Sequence, residues 1–217
     1  MFVRIIHSHM LLLLAIAFVL FTIIGTLSHE AGHWLAARTL GYKAELHYGS
    51  TSYQLPDSIN NADEPLNYHT LLVLKHHSMF ITGAGPVQTM LTGIAGLIIL
   101  YIRRRSVGLK AIDWLAVFFA LFWLREAFNL FMSVSQKLLH NSSSYFGGDE
   151  AYLSELLELP IGFIPILLGV VGFIFAFIIV FKVIPKALRP TFIVSGLIGG
   201  CAGYGLWFHL LGPVLMP

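Results

Sequence analysis

Apolar residues run along this chain in five long blocks, parted by short polar segments. The blocks extend roughly from Met10 to Leu40, His77 to Ile102, Ile112 to about Leu138, Pro160 to Val183 and Thr191 to about Leu211. A helix of about 20 residues crosses the roughly 30 Å hydrocarbon core of a bilayer. The pattern therefore predicts an all-α polytopic membrane protein with about five transmembrane helices. Two polar connections interrupt it. Residues 43 to 70 follow the first block, and within them Ala44 to Leu55 partly alternates, with Tyr48, Thr51 and Tyr53. Period-two alternation predicts a small β-hairpin or edge strand there. Residues 139 to 159 begin His140-Asn141-Ser142-Ser143-Ser144 and then carry Leu153, Leu156 and Leu157 at helical spacing. Asp149 is placed to open or cap a short helix leading into Pro160.

Composition agrees with the pattern. Apolar residues make up 57% of the 217 residues, charged residues 11%, and mean hydropathy is +0.79. A soluble domain of this length needs more charge to cover its surface. Net charge is +2, too small to argue for a nucleic-acid partner. The lone cysteine, Cys201, excludes an internal disulfide and a cysteine-based zinc site.

Charge distribution adds topology. Basic residues gather at Arg4, at Arg103, Arg104, Arg105 and Lys110, and at Lys182, Lys186 and Arg189. With five crossings these places share one side, and Asp57, Asp63, Glu64, Asp149, Glu150, Glu155 and Glu158 share the other. The positive-inside rule then puts the N-terminus in the cytoplasm and the C-terminus outside. Arg4 and the apolar run from Met10 to Ile24 look like a signal peptide, but no small-x-small cleavage site follows. The run is expected to stay as the first span. The expected location is a bacterial inner membrane, as a multi-pass protein.

The chemistry is concentrated at His29-Glu30-Ala31-Gly32-His33. On a helix, His29 and His33 lie one turn apart on one face. Two imidazoles so spaced can ligate one tetrahedral zinc, and Glu30 beside them can take a proton from water. Ionisable residues in an apolar span are costly unless paired or functional. A catalytic zinc site normally needs a third protein ligand, with the fourth position left open. The candidates are Asp149, His140, Glu126, His69, His76 and His77. Asp149 and His140 fall on the same side as the C-terminal end of the first span. Glu126 sits mid-span beside Arg125, where an internal ion pair or helix packing is the simpler reading.

Three pieces of the chain resemble the compact branch of the site-2 protease family of intramembrane zinc metalloproteases. One is the His29–His33 motif with the following Trp34 to Gly41, similar to the family's first catalytic helix and its closing glycine. Another is Gly83-Ala84-Gly85-Pro86, similar to a Gly-x-Gly-Pro element near the site. The last is Gly147-Gly148-Asp149-Glu150-Ala151 with Leu153 to Pro160, similar to the aspartate-bearing segment. The resemblance covers roughly residues 20 to 160, and 160 to 217 match only as two further apolar helices. It implies a single membrane-embedded metalloprotease domain over residues 1 to 217. It also implies Asp149 as third ligand of one Zn2+, Glu30 as general base, and residues 43 to 55 as an edge for an extended substrate. Gly85 and Pro86 become candidates to line the site. Asn129 and Asn141 become candidates to bond substrate or oxyanion. Many family members carry Asn-x-x-Pro-x-x-x-x-Asp-Gly; here Ser144 replaces the proline and Glu150 the glycine. After Gly85-Pro86, Gln88 and Thr89 stand where an asparagine is usual.

The expected activity is hydrolysis of peptide bonds in a membrane-associated protein. Two other readings share the same residues: a non-catalytic zinc-binding protein of this fold with an interaction or chaperone role, and a metal-ion transporter. A transport site needs no base beside a ligand, which favours the peptidase over the carrier. Gly196, Gly199, Gly200 and Gly203 predict tight helix packing in the fifth span. Trp34, Trp114, Trp123 and Trp207 are expected partly to mark the membrane interfaces.

Overall fold

A computed structural model describes residues 6–55, 59, 67–105, 108–140 and 145–217, without the side chains of Gln136 and His140. Helix α1 spans Ser8–Thr39. Its 32 residues extend about 48 Å, longer than a hydrocarbon core is thick. It ends in a Schellman motif: Tyr42 N donates to Ala37 O at 3.0 Å and Gly41 N to Arg38 O at 3.1 Å. Gly41 has φ +85°, a conformation glycine adopts without strain, and it turns the chain into the hairpin.

Strands β1 (Lys43–Leu46) and β2 (Thr51–Gln54) pair antiparallel, with Lys43 opposite Gln54 and Leu46 opposite Thr51. The expected hairpin is present. Its turn is tied to the far end of the chain: Tyr48 N donates to Met216 O at 3.0 Å, and Trp207 Nε1 donates to Tyr48 O at 2.8 Å.

Helix α2 covers Tyr68–Arg103, starting nine residues before the apolar block. Asn67 caps it, its side chain accepting from Thr70 N at 2.8 Å. Its first turns set Leu71-Leu72-Val73-Leu74 between polar residues on both sides, so the helix begins before the unbroken apolar stretch. Helix α3 (Ala111–Ala120), a 3₁₀ turn (Leu121–Trp123) and α4 (Leu124–His140) make up the third span. Helix α5 (Asp149–Leu156) opens at Asp149, as expected. Helix α6 (Phe163–Ile178) continues as a π turn over Ile179–Val183. Helix α7 (Arg189–Leu206) leads through a second π turn, Trp207–Leu211, into the short α8 (Gly212–Leu215).

Among the described residues, five helical segments are long and apolar enough to cross a membrane. Leu12, Leu13, Ile16 and Leu20 on α1, Leu91 and Ile98 on α2, and Phe173 and Phe177 on α6 all face outward. An outer surface of this kind is stable against lipid, and the protein is a multi-pass integral membrane protein. Inside, α1 packs on α2 and α7, α2 on α3, α4 on α6, and α5 on α2 and α6. Leu14, Val117, Phe118, Leu121, Ile184 and Phe192 form the core at the N-terminal end of α1. A smaller cluster of Ala36, Ala37, Tyr42 and Ile81 sits under the hairpin. Trp123 and Trp207 are buried in the bundle.

Candidate metal centre

Helix α1 presents His29, Glu30 and His33 to the interior, with 0%, 7% and 6% of their surfaces exposed. Opposite them runs the middle of α2. Gly32 lets the two backbones close up, since a Cβ there would lie 2.7 Å from Ala84 O. Helix α5 enters from the side and offers Asp149, its first residue. The helix is short and carries Ala151 and Ser154 inward, where Ser154 Oγ donates to Glu150 O at 2.8 Å. Its packing on α2 and α6 fixes where Asp149 points.

His29 Nε2 lies 3.0 Å from Asp149 Oδ2, His33 Nε2 lies 3.2 Å from the same oxygen, and the two Nε2 atoms are 3.2 Å apart. The three form a near-equilateral triangle. Ligands 2.0–2.1 Å from a tetrahedral ion sit about 3.3 Å from one another, so the triangle matches one face of such a site. The outer ring nitrogens are engaged as well. His33 Nδ1 is 2.7 Å from Ile81 O, which can only accept, so that nitrogen carries the proton. His29 Nδ1 is 2.9 Å from Thr89 Oγ1. These partners orient both rings and leave Nε2 for the centre, as a metal site requires. Burial by itself pushes the Asp149 carboxyl up; in the metal-free chain an imidazole that carries a proton on Nε2 donates to it and holds it well below the usual carboxylate range. The group His29–His33–Asp149 can hold a metal ion.

Gly85 completes the wall. A Cβ on it would fall 2.2 Å from His33 Nε2 and 2.7 Å from His29 Nε2, in the space a shared ion takes. Pro86, the next residue, is buried within α2 and has no N–H for the carbonyl one turn back. Asp149 is the open side, with 34% of its side chain exposed. Glu30 points toward the hairpin: Thr51 Oγ1 donates to Glu30 O at 2.9 Å and lies 3.4 Å from Glu30 Oε2.

The remaining candidates are not part of the triangle. Asn129 Nδ2 donates to Glu150 Oε1 at 3.2 Å, on the residue next to Asp149. Asn141 lies outside the described residues, and so does the side chain of His140. Glu126 is buried, and neither carboxylate oxygen has a hydrogen-bond partner among the described residues. His77 Nδ1 pairs with Tyr42 Oη at 2.7 Å, apart from the centre.

Comparison with known proteins adds no relative: no protein-family model, curated protein or solved structure matches the chain. The functional reading therefore rests on the geometry and the motif. Two contributors escaped the sequence reading. Thr89 was noted only as a substitute for asparagine, although a polar residue four positions after Gly85 falls on the same helical face. Thr51 stood only as part of an alternating run; nothing local marks it as the neighbour of Glu30.

Proposed function

We propose that this protein is a zinc metallopeptidase of the membrane that cleaves a membrane-associated protein. The observation that carries the proposal is the convergence of His29, His33 and Asp149 at 3.0–3.2 Å beside Glu30. A set of two imidazoles and one carboxylate suits zinc, and with three protein ligands a fourth position stays free. A zinc ion held there would polarise a carbonyl and acidify water.

The chain's own residues supply the rest. His29 and His33 are fixed by Thr89 and Ile81, so the site is built before substrate arrives. Glu30 is the base: it adjoins a ligand in sequence and its carboxylate is steadied by Thr51. Among the described residues β2 pairs only with β1. On β1, Ala44 O is already taken by Trp34 Nε1 at 3.2 Å, so β2 is the strand left to accept another chain. A substrate laid along it is held extended, which exposes a peptide bond that a helix would hide. The orientation proposed with this reading places the N-terminus in the cytoplasm.

Glu30→Gln tests the proposal. It keeps the shape of the side chain and removes the base. Zinc content should stay at one per chain, while cleavage of synthetic transmembrane and juxtamembrane peptides by the purified protein falls about 10²- to 10⁴-fold. Cleavage that survives the substitution unchanged, or none by the zinc-loaded wild type, would contradict the proposal.

A further inference from the structure

Beside the centre lies a cavity of about 290 Å³, lined by Tyr42, Tyr53, Leu55, Leu74, Tyr152 and Leu156 among others. Its walls come from the three elements that face α1 at the site. On β2, Tyr53 is two residues beyond Thr51, about 7 Å along the strand and on the same face. On α5, Tyr152 is three residues beyond Asp149, about 4.5 Å along the helix, and Leu156 is one turn further. On α2, Ser78 lies one turn before Ile81 and Thr82 and about 10 Å from Gly85. The cavity is thus the continuation of the site along β2.

Several of its polar groups are paired with one another. Tyr42 Oη meets His77 Nδ1 at 2.7 Å, Ser78 Oγ meets Tyr152 Oη at 3.4 Å, and Lys75 Nζ meets Glu158 Oε1 at 2.6 Å. The Tyr42 and Tyr53 rings pack with centroids 5.5 Å apart. Most of the remaining wall is aromatic and aliphatic, from Tyr42, Tyr53, Leu55, Leu74, Tyr152 and Leu156. An apolar side chain covers that wall at no cost in lost hydrogen bonds to water.

We infer that this cavity is the specificity pocket of the enzyme and takes a large apolar side chain two residues from the scissile bond. The inference rests on the peptidase reading and on an extended substrate along β2. A strand advances about 3.3 Å per residue and repeats its face every second residue. A substrate with its scissile carbonyl at the centre therefore sends the side chain two positions away to the level of Tyr53. Leu, Met or Phe fits the volume and the lining, whereas Ala leaves it unfilled.

Two measurements on the full zinc-loaded chain test this. In the first, a proteome-derived peptide library is digested and the cut sites are read by mass spectrometry. Large apolar residues should exceed Ala by about tenfold or more at a position two residues along the chain from the one that carries the cleaved carbonyl. Leu156→Trp, which fills the cavity, should bring that ratio close to one. In the second, Glu30→Gln is photo-crosslinked to a peptide carrying benzoylphenylalanine at the same position. The adduct should map to β2 or α5, and Leu156→Trp should abolish it. Cleavage with no preference, or a preference indifferent to Leu156→Trp, overturns the pocket and leaves the peptidase standing. No cleavage with a pocket-directed adduct overturns the peptidase and keeps the cavity as a peptide-binding site. Neither cleavage nor adduct overturns both.

Discussion

A methyl group at Gly85 would sit 2.2 Å from one metal-facing nitrogen and 2.7 Å from the other. Gly85→Ala is therefore expected to weaken metal binding at least about tenfold while the helix itself gains propensity. Gly83→Ala is the matched control, because its Cβ would meet only Leu153 Cδ2 at 3.9 Å. Zinc affinity by competition with a chelator separates the two, and equal losses would count against an ion in the Gly85 niche. Thr89→Val removes the oxygen facing His29 Nδ1 and should cost about 10- to 100-fold in zinc affinity. At this scale the sequence was unevenly informative. His29, Glu30 and His33 could be read because a helix repeats every 3.6 residues, so spacing alone fixes their shared face. The third member of the group could not be read that way: Asp149 is 116 positions from His33, and the residues themselves left six candidates. Only the resemblance singled it out. Ile81 contributes a carbonyl, which no side-chain pattern reveals.

The elements meet through glycines, and their contacts separate positions that look alike in sequence. On α7, a Cβ at Gly199 would lie 2.3 Å from Ala15 O on α1, while one at Gly200 meets nothing within 4 Å. Gly199→Ala should destabilise the protein by about 1–3 kcal/mol through overpacking. Gly200→Ala should be neutral or gain up to about 1 kcal/mol from helix propensity. Unfolding in detergent measures both, and equal effects would contradict the α1–α7 crossing. Two more glycines bracket the break in the third span: a Cβ at Gly96 would meet Ala120 N at 2.3 Å, and one at Gly172 would meet Trp123 O at 2.2 Å. There α2 and α6 press on the 3₁₀ turn between α3 and α4. The five spans were legible because length and hydropathy suffice for a bilayer. The 3₁₀ break and the π turns were not, since they answer to backbone crowding between helices distant in sequence. The start of α2 lies earlier than the block because Lys75, His76 and His77 interrupt the apolar run and part Leu71 to Leu74 from it.

Over the whole molecule, the site requires the end of α1 and the start of α5 to share one face of the membrane. The fold meets that requirement, with the hairpin and α5 at one end of the bundle. At the other end, His7 N donates to Thr191 Oγ1 at 3.1 Å and Arg103 Nη2 to Asp113 Oδ2 at 3.2 Å. The basic residues from Arg103 to Lys110 and from Lys182 to Arg189 gather at that end. Single cysteines at Gly41 and Gly147, in a chain whose Cys201 has been replaced, should both react with an impermeant thiol reagent from the same side. A cysteine at Lys186 should react only from the other side. Labelling of Gly41 and Gly147 from opposite sides would separate the ligands and end the proposal.

In the proposed enzyme, two imidazoles of α1 and one carboxylate of α5 hold a single zinc ion. Metal analysis of the purified chain, with X-ray absorption at the zinc edge, tests it most directly. The account predicts one zinc per chain, with two nitrogen ligands and oxygen at about 2.0–2.2 Å, and loss of the metal in both His33→Ala and Asp149→Ala. A chain that binds no zinc, or one that keeps it unchanged after Asp149→Ala, would contradict the account.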